Sequence, residues 1–253
     1  LTADGEFLAA YRDTWRNATG KLEEAEALAR DYPELERLVS NLQTLRGDFD
    51  GFERLVGETA EKNREIREIQ VAMDRTAKEL ISSIATLYQA QSDRLAKETQ
   101  AGADAGALED RLAKIQAAYE IRNAGNRLRI ANFRAQATRN PEIARSALAD
   151  YDAIQARIES IRPITFLEED IKELDDVASA ATVYRDEIVN MIEVTNELDA
   201  IAAERAATAS RLAGTMNNVA GAGAENTRRL SEETSDALAG AVTVNAVGIL
   251  IAA

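Results

Sequence analysis

Only three prolines punctuate this chain of 253 residues, at positions 33, 141 and 163. Between and beyond them apolar side chains recur at steps of three and four. Proline breaks a helix interior, because it lacks an N–H and clashes with the preceding turn. A chain with long proline-free runs and a period near 3.6 is therefore restricted to long helices. Five helical stretches follow. The first begins after the polar turn Thr2 to Glu6 and runs to the Asp31-Tyr32-Pro33 break. The second, from about Pro33 to Gln100, carries Leu35, Leu38, Leu42, Leu45, Phe49, Phe52, Val56, Ile66, Ile69, Met73, Leu80, Ile84 and Leu87 on one face. At 1.5 Å per residue it is about 100 Å long, more than one compact helical layer accommodates.

The turn Ala101-Gly102-Ala103-Asp104-Ala105-Gly106 separates this helix from a third, which runs from Ala107 to about Thr138. Asn140-Pro141-Glu142 opens the fourth, since proline suits a first helical turn, and Arg162-Pro163 closes it. The fifth starts near Thr165, with Glu168, Glu169 and Asp170 favourable against its N-terminal dipole, and continues to the last residue. A shift of about 136 residues lays LTADGE at 1–6 over ATRNPE at 137–142, and Trp15 over Tyr151. If Thr138 follows a helix, Leu1 follows one too, so the first helix of the repeat is expected upstream of Leu1.

Charge and residue types narrow the function. The net charge of −14 argues against a nucleic-acid partner, which requires a concentrated basic surface. There is no Cys and no His, which removes thiolate chemistry, the commonest general base and the commonest metal ligand. No glycine-rich phosphate loop or catalytic triad occurs. No catalytic residue, metal site or cofactor is expected, and Glu168, Glu169 and Asp170 read as helix-start acids.

The run Ala237–Ala253, ALAGAVTVNAVGILIAA, has Thr243 and Asn245 as its only polar side chains. A spanning helix needs about 20 mainly apolar residues, so residues 239–253 read as the start of a transmembrane helix. A buried C-terminal helix is the alternative. Glu232, Glu233 and Asp236 crowd just upstream and no Lys or Arg follows Arg229. That flank places the preceding domain outside the cytoplasm.

The third stretch carries the candidate chemistry. One row, Leu108, Leu112, Ile115 and Tyr119, continues through Arg122, Asn126 and Arg129 to Phe133. A second row holds Ile121, Ala124, Leu128, Ala131 and Ala135. Arg122 and Arg129 fall between the rows, whereas Arg127 and Arg134 fall on the opposite flank with Glu120 and Asn123. A guanidinium among packed helices needs a carboxylate, which it grips through two charge-assisted hydrogen bonds. An acidic ligand supplies one, and so does any Asp or Glu of a neighbouring helix. Tyr184, with Tyr88 and Tyr119, lines the same module or fills its core. Asn217 and Asn218, near Asn226, Arg228 and Arg229 in the last stretch, are secondary candidates.

Two long helices shared by two stacked four-helix bundles, leading into a membrane helix, resemble the helical bimodular sensor domain of bacterial methyl-accepting chemotaxis receptors. The resemblance is carried by RLRIANFRAQATRNPEIARSALADYDA at 127–153, VAMDRTAKELISSIATL at 71–87 and LTADGEFLAAYRDTW at 1–15. It implies a membrane-proximal module from residues 1–68 and 200–238 and a membrane-distal module from 69–199. It also implies a small organic-acid ligand held by Arg122, Asn126, Arg129, Phe133 and Tyr184, with Asn217, Asn218, Arg127 and Arg134 secondary. A homodimer anchored in the bacterial inner membrane, facing the periplasm, would then signal to cytoplasmic signalling and kinase parts outside this sequence. A histidine-kinase sensor and a ligand-free structural coiled coil are the rival expectations.

Overall fold

The computed structural model describes the backbone of residues 3–31 and 36–252 and the side chains of residues 13–31 and 38–236. The protein is all-α. Its helices are α1 (Ala3–Asp31), α2 (Glu36–Gln100), α3 (Ala105–Thr138), α4 (Pro141–Ile161) and α5 (Glu168–Ala252), with a 3-10 turn at Arg162–Ile164 before α5. Helix α1 begins at Ala3, so residues 4–6 form its first turns instead of the expected polar turn. Among the described residues no helix is long and apolar enough to cross a membrane. The apolar run from Ala237, and with it the expected membrane start at 239–253, lies outside the described side chains.

Local chemistry explains the breaks. Gly102 adopts φ 69° in the turn after α2, a conformation that costs glycine nothing sterically. The Asp104 side chain then caps α3 by accepting from the Ala107 N–H at 3.0 Å. Helix α3 is capped just past Thr138 by Arg139, a non-glycine residue at φ 51°, and the Asn140 N–H returns to the Ala135 carbonyl at 3.0 Å. Asn140 caps α4 through the Glu142 N–H at 3.1 Å, with Pro141 in the first turn where no N–H is needed.

The chain divides into two compact units, Leu1–Glu58 with Ile201–Ala253, and Thr59–Ala200. The expected division in α2 falls at residue 68; in the structure it falls at 58. In the first unit, Leu22 and Ala29 of α1, Leu42, Leu45 and Phe49 of α2 and Leu212 of α5 share one core. Trp15 packs on Phe49 and Phe52 with ring centroids 4.6 and 5.4 Å away. A two-pronged pair from Arg46 to Glu26, at 3.0 and 2.8 Å, ties α2 to α1.

In the second unit, segments of α2, α3, α4 and α5 enclose a core that includes Met73, Ile84, Leu128, Ile154, Val177 and Ile188. Surface contacts join α2 to α3 (Arg122 over Tyr88), α3 to α4 (Arg127 to Asp150), α4 to α5 (Tyr151 to Thr182) and α5 to α2 (Glu197 to Lys62). Helices α3 and α5 meet instead through buried side chains, Asn132 to Tyr184 and Arg111 to Asp170. They therefore lie across the core from each other. The α2–α3 approach is close at Gly125, where an added Cβ would stand 3.0 Å from the Ile84 Cδ1.

Candidate ligand site in the second unit

Helix α3 turns its inner face to the core with Ala117, Ala118, Ile121, Ala124, Leu128 and Ala135. Of the two expected rows the second is the buried one, with Ile121, Ala124, Leu128 and Ala135 in the core, whereas Leu112 and Tyr119 of the first are exposed. Small residues dominate that inner face because the neighbouring backbones come close, which leaves the longer apolar side chains outside.

Asn132 breaks the buried row. Only 3% exposed, it donates from Nδ2 to the Tyr184 hydroxyl at 3.1 Å, with Met73 Sδ at 4.0 Å. Its Oδ1 is buried and has no hydrogen-bond partner. Exchanging the amide oxygen and nitrogen satisfies the tyrosine equally well and leaves the other amide atom alone. One turn earlier on α3 the Arg129 Nε is likewise buried without a partner. An unpaired buried donor and acceptor each cost on the order of 1–3 kcal/mol, so two of them near one buried hydroxyl are an unmet polar demand inside this core. Burial pushes the Tyr184 phenol up, with Asn132 and the Arg129 charge pulling against it. It stays a neutral hydroxyl that both donates and accepts.

Arg122 lies one heptad from Arg129, its guanidinium 4.8 Å from the Tyr88 ring and 5.1 Å from the Tyr119 ring. Such stacking stabilises a cation while leaving its in-plane N–H donors free. Among the described residues neither Arg122 nor Arg129 makes an ion pair, although the chain has 44 carboxylates. Pairing with neighbouring helices is therefore not what occupies these two arginines.

The other expected site residues are dispersed. Asn126 is half-buried beside Arg129, and Phe133 is half-exposed on the outer side of α3. Arg127 pairs with Asp150 at 2.6 Å, and Arg134 is exposed. Asn217 and Asn218 are both exposed on α5, and nearby Arg228 pairs with Glu225 and Glu232 at 2.7 Å each. The structure thus brings together Arg129 and Tyr184, adds Asn132, and keeps Phe133, Arg127 and Arg134 apart from them, while Asn217 and Asn218 belong to the first unit. Asn132 was detectable in the sequence, standing four residues after Leu128 and three before Ala135 on the buried row.

A second polar cluster is not apparent from the sequence. Asp170 is fully buried, bonded to Arg94, to Arg111 at 3.1 Å and to Gln91 at 3.1 Å, with Lys114 at 3.9 Å. Arg111 also grips Glu98 at 2.6 Å. Burial and the Arg111 charge lower the Lys114 pKa. Asp170 stands in the first turn of α5 as expected of a helix-start acid, and it is in addition the anion of an ionic core linking α2, α3 and α5. Among the described residues no group of acids is arranged to hold a metal ion.

Compared with models of known protein families and with curated proteins, the chain matches none.

Proposed function

We propose that this chain is the extracytoplasmic ligand-binding part of a bacterial transmembrane chemoreceptor, without catalytic activity of its own. In this reading each unit is a four-helix module, the run from Ala237 enters the membrane, and a small organic acid binds in the second unit. A cytoplasmic signalling domain and its kinase receive the output, and two copies form the working receptor.

The observation that carries the reading is the pair of buried unpartnered groups, Arg129 Nε and Asn132 Oδ1, beside the Tyr184 hydroxyl. A carboxylate oxygen accepts from Arg129 through a charge-assisted bond, and with the Asn132 amide exchanged its oxygen accepts from the Tyr184 hydroxyl while its NH2 supplies the ligand's second donor. Arg129 and Asn132 stand on α3 and Tyr184 on α5, so a bound acid links these two helices through the Asn132–Tyr184 bond. Binding then favours whichever placement of α5 relative to α3 holds the three groups together. The shift is bounded by the difference in affinity between the two placements.

Calorimetric titration of mono- and dicarboxylates into the whole chain tests this. Saturable 1:1 binding is expected, weakened at least about tenfold in Arg129→Ala, the loss of about one charge-assisted hydrogen bond. Circular dichroism should show unchanged helicity. Binding that is indifferent to Arg129→Ala overturns the site. A chain that takes up no acid at all overturns the sensor reading and leaves the structural coiled coil.

A further inference from the structure

The outer face of α3 has an unusual composition for so acidic a protein. Between Glu120 and Glu142 there are five arginines, at 122, 127, 129, 134 and 139, and no acidic residue. The same face exposes Leu112 (54%), Tyr119 (44%), Ile130 (62%) and Phe133 (50%). These four belong to the row 112, 116, 119, 123, 126, 130, 133, 137, whose alternating steps of four and three are the spacing of a helix–helix seam. Scattered exposed apolar residues require no explanation. Four on one seam, flanked by cations, do. Arg134 and Arg139 make no ion pair among the described residues.

The opposite side of the same unit carries the opposite charge. From Glu168 to Asp199, α5 has eleven carboxylates against Lys172 and Arg185. Its outer row includes Asp176, Val183, Asp186, Asn190 and Glu193, all exposed. Helices α3 and α5 start at the same end of the unit, where Arg111 meets Asp170, and run in the same direction. They also face away from each other across the core.

We infer that the basic apolar face of α3 docks on the acidic face of α5 of a second copy of this chain. Two copies standing side by side in the same orientation bring these faces together with their helices parallel, which sets cations against carboxylates along the seam. Pairing α3 with α3 of a parallel copy would instead set Arg122 against Arg127 and Arg129 against Arg134, because flanking positions of a parallel seam meet five residues apart. Like charges there exclude that symmetric arrangement. The contact is heterologous, so a pair keeps one face of each kind free and the assembly extends beyond a pair. A single helix-on-helix seam falls short of the about 800 Å² per partner of a standard stable interface, so the association is weak and salt-sensitive.

Sedimentation velocity of the whole chain at rising concentration, in about 50 mM and about 500 mM salt, tests the arrangement with two sets of variants. One set breaks the α3 face (Ile130→Asn with Arg134→Gln, which removes charge without reversing it); the other breaks the α5 face (Asp186→Lys with Glu193→Lys). All substitutions are at exposed positions, and unchanged thermal unfolding checks that the fold is kept. The parent should form species larger than a dimer in low salt, with association at least about tenfold weaker in high salt. Each variant alone should stay monomeric. An equimolar mixture of an α3-face variant and the α5-face variant should give a dimer and nothing larger, since the mixture has one intact face of each kind per pair. A parent that remains monomeric overturns the inference, as do variants that associate like the parent or a mixture that yields no dimer.

Discussion

Single polar residues inside the second unit determine most of what is specific about it. Asn132 and Arg129 each leave one buried atom without a partner, whereas Asp170 has three cations around it. Arg94, shared with Glu169 and Glu173, and Arg111, shared with Glu98, both bond that carboxylate, and Lys114 adds a third positive charge at 3.9 Å without a bond of its own to it. The Lys114 pKa is lowered by burial first and by Arg111 second. In the unfolded chain the ammonium keeps its ordinary value near 10.5. Between the lowered value and that one the unfolded state binds more protons, so stability rises with pH across this window. Lys114→Met should therefore stabilise the protein at pH 7 by about 1 kcal/mol and remove the rise toward alkaline pH. Urea unfolding at neutral pH and near the alkaline end of the window measures both. A variant less stable than the parent at pH 7 would show that Asp170 requires its third cation.

At the scale of elements, the two long helices are not uniform along their length. In α2 the glycines are Gly47, Gly51 and Gly57, all in the first unit, and none follows before Gln100. Each is mid-helix, and a Cβ added there would meet nothing within 4 Å. A helical glycine costs about 0.5–1 kcal/mol relative to alanine. No packing at these three positions requires one. Replacing all three by alanine should slow amide exchange over residues 45–57 and raise the first unit's thermal midpoint, with residues 69–100 unaffected. Unchanged exchange in 45–57 would mean that the helix there is held by packing alone. Gly125 is different: its missing side chain lets Ile84 approach, so the α3 glycine serves contact between helices.

The extent of the helices was legible in the sequence because it follows from local signals. Pro141 after Asn140, the Gly102 turn and the acids at 168–170 all act within a turn of chain, and the α3, α4 and α5 boundaries fall within three residues of where these signals put them. The face each helix presents was less legible. The row from Leu108 through Tyr119 reads as core by hydropathy, yet Leu112 and Tyr119 are outside. Alanines and Gly125 take the inner row because the space between helices is narrow, and inter-helix spacing is not encoded in any one helix. For the same reason Arg129 and Tyr184 were within reach of sequence reasoning, but the pairing that completes their site, through Asn132, was not.

On the scale of the whole molecule, the two units are unequally supported. Among the described residues the second unit's core joins twenty-five buried apolar side chains, and the first unit's core joins six. Burial of each of the larger aliphatic side chains among them contributes about 1.5–3 kcal/mol, and of each alanine methyl about 0.8 kcal/mol, before conformational entropy is subtracted, so the second unit should outlast the first. Hydrogen exchange monitored against urea should release residues 38–58 and 201–236 before residues 69–100 and 117–135. A single concerted transition would show that the long helices transmit the second unit's stability throughout.

The sequence by itself determined an all-helical chain, its breakpoints, its acidic character and the residue types available for chemistry, because periodicity, proline and composition act locally or simply add along the chain. Only the tertiary structure decided which polar groups are partnered. Arg111 and Asp170 stand 59 residues apart and satisfy each other. Arg129 and Asn132 are near neighbours on one helix and each keeps an atom unsatisfied. Whether a buried charge or amide finds a partner depends on what the facing helices bring to the same height of the core, and that is set by packing between segments distant in the chain.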